Sequence, residues 1–235
     1  MCAVVTRLCL DYLKSAQVQR ESYPGTWLPE PIYTGGSPAS LVSEQESISM
    51  AFMVVLESLT PVERAVFLLR DVFDYGYDEI AQTVEKTPDN CRQIYHRAKR
   101  YLMERRPRFD TSMEDQQKLI ATFRQAVEGG DIDKLTQLLA EDAVLYSDGG
   151  GKVNAAKLPV RGRELLAQFL VNIHRMYGTN ARVQIDEVNG EAALIAWQDE
   201  QVASVFTFSM EAGVISTIRV VVNPQKLHHL TQQLR

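Results

Sequence analysis

The sequence predicts a multidomain protein: an all-α helix-turn-helix unit followed by an α+β cone in which helices pack on a curved antiparallel sheet. Three observations carry this prediction. A basic amphipathic run at residues 86–102 follows a shorter helical run, residues 23–40 are rich in Pro and Gly, and four β-rich runs lie between residues 183 and 222. The chain has 235 residues, 45% of them hydrophobic, which is enough for two modest cores.

The N-terminal part divides into a helix and a linker. Residues 3–20 place apolar side chains on one side and charged ones on the other, as in an amphipathic helix. Residues 23–40 contain four prolines and three glycines, which prohibit regular helix and favour an extended linker. Trp27 inside this linker is typical of a local anchor onto a neighbouring domain.

Three helices are predicted between residues 60 and 104. Thr60, Pro61 and Glu63 form an N-cap, N1 and N3 signature for the first helix. Residues 77–84 form a second short helix, and a turn at residues 85–86 leads to a third that begins at Pro88. The apolar residues of the third helix recur at helical spacing and predict a buried stripe: Cys91, Ile94, Tyr95, Ala98, Tyr101 and Leu102.

The other face of the third helix carries hydrogen-bond donors suited to DNA. Arg can bond guanine in a fork, Asn and Gln can pair with adenine, and Lys or Arg can contact phosphates. A helix, a tight turn and a second helix of these lengths match a helix-turn-helix. The alternative is a solvent-exposed cationic helix that does not bind DNA. The candidate DNA-contacting residues are Asn90, Arg92, Gln93, His96, Arg97, Lys99 and Arg100.

The charge distribution and the cysteine content limit the classes of protein to which the chain can belong. The net charge is −5, but residues 86–108 hold eight basic against two acidic residues. The three cysteines, Cys2, Cys9 and Cys91, form no Cys-x-x-Cys pair, so we expect neither a disulfide framework nor a metal site. No apolar run is long enough for a membrane span, and no signal peptide is recognised. We therefore expect a cytoplasmic monomer without a cofactor.

Several motifs of the helical part resemble the fourth domain of extracytoplasmic-function (ECF) sigma factors. They are Leu-Thr-Pro-x-Glu-Arg at 59–64, Asp-Glu-Ile-Ala at 78–81, Arg-Gln at 92–93 and Arg-Ala-Lys-Arg at 97–100. The resemblance implies recognition of the minus-35 promoter element and RNA polymerase core as a partner. The family often has Gly in the turn where this chain has Glu85.

The linker extends the resemblance to one subgroup. Trp-Leu-Pro-Glu-Pro at 27–31 resembles the linker motif of ECF factors that carry a SnoaL-like C-terminal extension. Residues 1–22 then resemble a remnant of the second sigma domain, most of which would precede Met1. The expected organisation is a remnant helix at 1–22, a linker at 23–42, sigma region 4 at 43–108 and a SnoaL-like regulatory domain at 109–235.

The C-terminal half predicts an α+β cone. Helices are expected at residues 113–127, 132–139 and 162–175, and strands at 183–188, 192–198, 203–210 and 214–222. Short connectors between the strands favour an antiparallel meander. The order of elements, and Phe-x-x-Ala-Val-Glu-x-Gly-Asp at 123–131, resemble the SnoaL-like polyketide-cyclase and ketosteroid-isomerase superfamily.

That superfamily includes enzymes, which leaves two interpretations of the cone. An isomerase, cyclase or hydrolase with a DNA-binding appendage would need polar groups that converge in the cone. The candidates by residue type are Asp148, His174, Tyr177, Trp197 and Arg219, and their spacing does not compel catalysis. A third interpretation is an interaction module that binds polymerase or another sigma factor without reading DNA.

Two further motifs favour regulation over catalysis. Asp-Gly-Gly-Gly-Lys at 148–152 is a flexible loop whose backbone amides can approach an anion or another chain closely. Asn-Pro-Gln-Lys-Leu at 223–227 resembles the subgroup's Asn-Pro-Asp-Lys-Leu, with Gln225 in place of Asp. The resemblance implies that both motifs contact the sigma domains and control promoter activity. A small ligand in the cone would act only by favouring one arrangement. The candidate interdomain residues are Trp27, Leu28, Pro29, Asp148, Gly149, Gly150, Gly151, Asn223, Pro224, Lys226 and Leu227.

Overall fold

The computed structural model describes residues 4–6, 8, 10, 23–35, 50–105, 112–178 and 180–235. The chain forms two compact units, one of Met1–Ser22 with Ala51–Pro107 and one of Tyr23–Met50 with Arg108–Arg235. The described part of the linker, residues 23–35, therefore belongs with the second unit. Most of the predicted helix at 3–20, the linker beyond Gly35, and Cys2 and Cys9 lie outside the described residues.

Within residues 50–105, the first unit contains the three predicted helices and one that was not predicted. The helices are α1 (Met50–Glu57), α2 (Pro61–Asp71), α3 (Tyr77–Val84) and α4 (Pro88–Arg105). The capping box predicted for α2 is confirmed, because the Thr60 side chain accepts from the Glu63 N–H and the Glu63 side chain accepts from the Thr60 N–H. Thr87 caps α4, where its Oγ1 accepts from the Asn90 N–H at 3.3 Å.

The predicted stripe of α4 forms the centre of this unit's core. Five of its residues are buried: Cys91, Ile94, Tyr95, Ala98 and Leu102. They pack with Val66, Phe67 and Ile80 of α2 and α3 in one hydrophobic cluster. Full burial of a Val, Leu, Ile or Phe side chain contributes about 1.5–3 kcal/mol. This burial holds α4 in one rotational setting, which decides which of its residues face outward.

The turn between α3 and α4 forms without glycine. Glu85 takes a left-handed conformation, with φ 57° and ψ 49°. The N–H groups of Glu85 and Lys86 both donate to the Ala81 carbonyl, which closes the end of α3. A left-handed conformation costs an L-residue roughly 1–2 kcal/mol. The turn therefore has the conformation that favours glycine although its sequence has glutamate.

The second unit contains the predicted helices and strands in the predicted order, together with three elements that were not predicted. Its elements are α5 (Met113–Gly129), α6 (Ile132–Leu138), β1 (Leu139–Asp148), β2 (Val160–Arg161), α7 (Arg163–Ile173), a π-helical turn (His174–Gly178), β3 (Arg182–Val188), β4 (Glu191–Gln198), β5 (Gln201–Glu211), β6 (Val214–Val221) and α8 (Pro224–Gln233). Ser112 caps the start of α5, and Gly130 ends it in a left-handed conformation. The predicted helix and strand positions are confirmed to within a few residues, and the elements that were not predicted are β1, β2 and α8.

The sheet corrects one part of the prediction. Strands β3 to β6 form the expected antiparallel meander, and the six strands lie in the order β2-β1-β6-β5-β4-β3. However, β1 pairs with β6 in parallel, so the sheet is mixed rather than antiparallel throughout. The reason is connectivity: only strands joined by a hairpin must be antiparallel, and α7 and four strands separate β1 from β6 along the chain.

The core of the second unit lies between this sheet and helices α5 to α7. Phe123 of α5 meets Phe208 of β5 edge to face, with ring centroids 5.4 Å apart. Helix α8 packs against β5 and buries Leu227 and Leu230. Within the part of the chain that the structure describes, no helix has the length and apolar character needed to span a membrane.

Candidate functional site

The surface of α4 opposite its buried stripe carries all seven predicted DNA-contacting residues. Every one is exposed. We call this set the α4 surface: Asn90, Arg92, Gln93, His96, Arg97, Lys99 and Arg100. Because the stripe fixes the rotation of the helix, these side chains share one face that points away from the core of their unit. Of the nearby basic residues, Arg106 and Arg108 lie outside the described residues.

Ion pairs divide the α4 surface into two groups. Arg97 Nη2 lies 2.6 Å from Glu63 Oε1 and Lys99 Nζ lies 3.0 Å from Asp71 Oδ1, so α2 holds both cations. Arg92 pairs with Asp89 of its own helix at 2.9 Å. Exposed pairs of this kind contribute about 0–1 kcal/mol, so a phosphate or a base can displace them.

The second group consists of Asn90, Gln93, His96 and Arg100. Within the described residues, no hydrogen bond or ion pair engages these four side chains. An open groove of about 530 Å³ runs between the start of α2 and the first half of α4. Its lining residues are Thr60, Val62, Glu63, Lys86, Asn90, Gln93, Ile94 and Arg97. Amide and guanidinium groups beside an open groove are the chemistry of base recognition.

Glu63 does more than cap α2, the role that its sequence pattern indicates. Partial burial raises the pKa of its carboxyl, but hydrogen bonds from Thr60 and Arg97 outweigh burial and lower the pKa overall. Lys99 shifts the other way, since hydrogen bonds with Tyr95 and Asp71 raise the pKa of its ammonium. Both shifts favour the charged forms. The sequence identified Glu63 only as a cap, because the pairing with Arg97 depends on how α2 and α4 pack.

A second candidate site surrounds Asp148 at the end of β1. The Asp148 side chain is fully buried and accepts four hydrogen bonds. The donors are the Tyr23 hydroxyl, the Leu28 N–H at 2.8 Å, the Gly150 N–H at 3.0 Å and Lys226 Nζ at 2.7 Å. Two of the four come from the linker, so this carboxylate ties the linker to the cone.

Lys226 of α8 completes the site. Its ammonium pairs with Asp148, donates to the Leu28 carbonyl and lies 4.4 Å from the Trp27 ring centroid. Asn223 Nδ2 donates to the Tyr23 hydroxyl at 3.0 Å. We call Tyr23, Leu28, Asp148, Asn223 and Lys226 the Asp148 anchor. Burial and the hydrogen bond to Asp148 raise the pKa of Tyr23.

The glycines after Asp148 are required by close packing. A Cβ on Gly150 would lie 2.2 Å from Asn223 Nδ2, and one on Gly151 would lie 2.6 Å from Pro24 Cγ. Both residues also have positive φ, 58° and 68°. Gly149 packs within its own loop, where a Cβ would lie 2.8 Å from the Val153 carbonyl oxygen. The loop therefore touches both the C-terminal motif and the linker.

The linker stays on the cone beyond the anchor. Ile32 exchanges two hydrogen bonds with Asn189, from its N–H at 3.1 Å and to its carbonyl at 2.8 Å. The Thr34 N–H donates to the Glu187 carbonyl, and Tyr33 forms an antiparallel bridge with Val188. Through these backbone hydrogen bonds the linker pairs with the C-terminal end of β3. Residues 23–35 are thus fixed at several points.

The other predicted interdomain residues have simpler positions. Pro29 is buried, Pro224 is the first residue of α8, and Leu227 faces the core. Gln225, which replaces the family's Asp, is exposed, and its backbone N–H donates to Asn223. Tyr23 was not predicted as a site residue, although a phenol at the start of the linker, close to Trp27, is a usable signal.

The five polar candidates for cone chemistry do not form one site. Asp148 is engaged in the anchor, while His174 and Tyr177 lie on the π-helical turn, with Tyr177 62% exposed. The Arg182 guanidinium covers the Trp197 ring at 4.9 Å. Arg219 donates to Ser209 at 2.8 Å, and burial lowers its pKa. No hydrogen bond joins any two of these five described residues, so they lack the convergence that proton transfer needs.

Comparisons with known proteins identify the family of the chain. The family model "Sigma-70, region 4" matches residues 49–102. The chain is 32% identical over 238 residues to the probable ECF RNA polymerase sigma factor SigI of Mycobacterium tuberculosis (strain CDC 1551 / Oshkosh), covering 98% of this chain and 78% of that relative. It is 34% identical over 195 residues to the ECF RNA polymerase sigma factor SigJ of M. tuberculosis (strain H37Rv), covering 80% and 62%.

A solved structure has a similar fold. The crystal structure of M. tuberculosis SigJ superposes with a TM-score of 0.74 at 28% identity and covers 96% of this chain and 80% of that one. The predicted fold class, a region 4 helical unit followed by a SnoaL-like cone, is confirmed, with the sheet mixed. The relatives favour a non-enzymatic transcription factor over the enzyme alternative. This chain belongs to the ECF RNA polymerase sigma factor family and functions in transcription initiation.

Proposed function

We propose that α4 is the recognition helix for the minus-35 promoter element and that the chain performs this reading together with RNA polymerase core. The observation that carries the proposal is the division of α4 into a buried stripe and the exposed α4 surface. A helix held in this way presents one face to a major groove. The central residues of that face, Gln93, His96 and Arg100, would reach base edges, as would Arg97 beside the groove.

The flanking residues suit the phosphates better. Arg92 and Lys99 lie at the sides of the α4 surface, and each already pairs with an exposed or partly exposed carboxylate. Contact with a phosphate would exchange one ion pair for another and release counterions. The proposal therefore assigns base reading to the centre of the surface and positioning to its edges.

We further propose that the cone acts by position rather than by catalysis. The Asp148 anchor holds residues 23–35, the segment that follows the sigma-like N-terminal helix in the sequence. The anchor combines a buried ion pair with several hydrogen bonds to backbone groups. It therefore supports an arrangement in which the linker is held on the cone, and the linker is released only when these bonds break together. A small ligand would shift this balance only by binding one arrangement more tightly.

DNA reading is tested by selecting duplexes from a pool with a randomised ten-base-pair window, using the full chain. Fluorescence anisotropy then compares a selected duplex with its scrambled version at two salt concentrations. We expect Gln93→Ala to lose about 1–3 kcal/mol of discrimination. Arg161→Ala is the matched control, because Arg161 is exposed on the cone. A wild-type chain that prefers no duplex would refute the proposal.

The positional role of the cone needs a separate readout. Run-off transcription from the selected promoter with bacterial RNA polymerase core compares wild type with Asp148→Asn. We expect the variant to change initiation at unchanged polymerase concentration, because it weakens the hold on the linker. Equal initiation, with loss of the anchor verified by faster proteolysis at residues 23–35, would contradict a regulatory role for the cone.

A further inference from the structure

The pair between Glu63 and Arg97 joins a fixed acid to a movable cation. One oxygen of the Glu63 carboxylate, Oε2, accepts from the Thr60 N–H at 3.0 Å and from the Thr60 hydroxyl at 2.7 Å. The other oxygen, Oε1, accepts from Arg97 Nη2 at 2.6 Å. The Glu63 side chain is 16% exposed and that of Arg97 is 71% exposed. The cap therefore immobilises the acid, while the guanidinium extends along the α4 surface.

This carboxylate lines the groove beside the base-reading residues. Glu63, Asn90, Gln93 and Arg97 all contribute to its walls. A negative charge fixed there repels a phosphate, which carries a full negative charge, more strongly than the edge of a base, which is neutral overall and presents acceptors such as guanine O6 and N7. Glu63 therefore opposes contact of Arg97 with a phosphate more than contact of Arg97 with a base.

A single base contact is strong enough to displace the ion pair between Glu63 and Arg97. An exposed ion pair contributes about 0–1 kcal/mol, whereas a good bidentate contact between Arg and guanine discriminates by about 1–3 kcal/mol. Arg97 can therefore leave Glu63 for a correctly placed base. On a non-matching duplex no base edge is placed to bind Arg97 in this way, so its remaining ligands are phosphates, and there the same acid opposes binding.

We propose that Glu63 is a specificity-determining residue, which positions Arg97 for base recognition and lowers sequence-independent binding to phosphates. This inference rests on the proposed reading of DNA by α4. Its distinctive consequence is that removal of an acid weakens selectivity rather than improving binding uniformly. Glu63 acts through Arg97 and need not itself contact DNA.

The test is Glu63→Gln in the full chain, because Gln at this helix position keeps the capping hydrogen bonds and removes only the charge. Glu79→Gln is the matched control. Glu79 occupies the corresponding position of α3 and accepts from the Gly76 N–H at 2.9 Å, and no cation in the described part of the chain pairs with it. Both variants change the net charge equally, so a difference between them isolates the pair with Arg97.

Binding constants are measured for selected and scrambled duplexes between 50 and 200 mM salt. We expect Glu63→Gln to tighten scrambled binding about 3- to 10-fold and to steepen its salt slope by up to about 0.9, the value for one added phosphate contact. The ratio of selected to scrambled affinity should fall accordingly. Glu79→Gln should leave that ratio unchanged. In the Arg97→Ala background, Glu63→Gln should no longer lower it.

The outcomes separate this inference from the proposed function. If the wild-type chain prefers the selected duplex but Glu63→Gln behaves like Glu79→Gln, the role of Glu63 is overturned and DNA reading stands. The role of Glu63 is likewise overturned if Glu63→Gln lowers the ratio equally with and without Arg97. If the wild-type chain has no preference, the proposed function fails and this inference fails with it. Thermal unfolding of each variant checks that the helical unit remains folded.

Discussion

The α4 surface and the Asp148 anchor use similar residues in opposite ways. Arg97 and Lys99 pair with carboxylates while remaining 71% and 46% exposed. In the anchor, Lys226 and Asp148 are 14% and 0% exposed, and Asp148 accepts four hydrogen bonds. The first arrangement lets charged groups change partners, whereas the second holds them in one arrangement.

The difference follows from solvation. Water screens and competes for the exposed pairs, so breaking one costs about 1 kcal/mol or less. A buried pair has lost its water, and removing one partner leaves the other charge uncompensated at a cost of about 3–5 kcal/mol. Recognition of a changing ligand requires the first situation, and fixing the linker on the cone requires the second.

The largest effect is expected for Asp148→Ala, which leaves Lys226 and two linker donors without their acceptor. We expect the second unit to lose about 3–5 kcal/mol of unfolding free energy. Urea unfolding followed by Trp27 fluorescence in a Trp197→Phe background measures it. A loss below about 1 kcal/mol would mean that the anchor is as weak as an exposed pair.

The partner variant tests whether charge or shape dominates the anchor. Lys226→Met should destabilise the second unit by a similar amount, since it strands the buried Asp148 carboxylate. The double variant Asp148→Ala with Lys226→Met should lose less than the sum of the two single changes, because no uncompensated charge remains. Strict additivity would show that the two residues act independently.

The next effect concerns the glycine loop. Gly150→Ala combines a left-handed conformation with a Cβ 2.2 Å from Asn223 Nδ2, and we expect a loss of about 2–4 kcal/mol. Gly213→Ala is the control: Gly213 also has a positive φ, 81°, but its Cβ would meet nothing within 4 Å. It should lose only about 1–2 kcal/mol. Equal losses, measured by urea unfolding, would show that backbone strain alone explains the glycine.

A smaller effect, of opposite sign, is expected in the helical unit. Glu85→Gly relieves the left-handed strain between α3 and α4 but makes the unfolded chain more flexible, so we expect a net gain of about 0.5–1 kcal/mol. Glu85→Ala, which keeps the strain, should give no gain. Thermal unfolding monitored by the helical circular dichroism signal compares them. If Glu85→Gly were less stable than the wild type, the glutamate side chain would account for the stability of the turn.

The smallest effect is expected for Gln225→Asp, which restores the family's residue. Gln225 is exposed in the first turn of α8, where an acid interacts favourably with the helix dipole by about 0.3–1 kcal/mol. The anchor should not change, so Trp27 fluorescence should match the wild type. A fluorescence change would show that this position contacts the linker.

Local patterns predicted the helical unit well. The spacing of apolar residues in α4 and the cap at Thr60 depend on neighbours within one or two turns, and both are confirmed. The left-handed Glu85 was not predicted, because packing of the adjoining helices overrides the preference of a glutamate. Helix α1 was missed, since its apolar run shows little difference between its faces.

Pairings between distant residues were harder to predict. The parallel pairing of β1 with β6 and the contact of Asp148 with Leu28 join residues with no periodic relation in the sequence. The motifs at 148–152 and 223–227 were singled out by resemblance, but their partner in this structure, the linker, became visible only in three dimensions. The pairing of Glu63 with Arg97 was not predicted either, because it too joins residues distant in the sequence.

The sequence separation within the anchor sets an order of events during synthesis. Leu28 lies 120 residues before Asp148 and 198 residues before Lys226. At about 5–20 residues per second, the ribosome needs roughly 6–24 s to add the approximately 120 residues between α4 and Lys226. Helices α2 to α4 have their contacts within a short span and can fold in that interval. Each new polypeptide therefore spends several seconds with a complete helix α4 before the linker can be anchored.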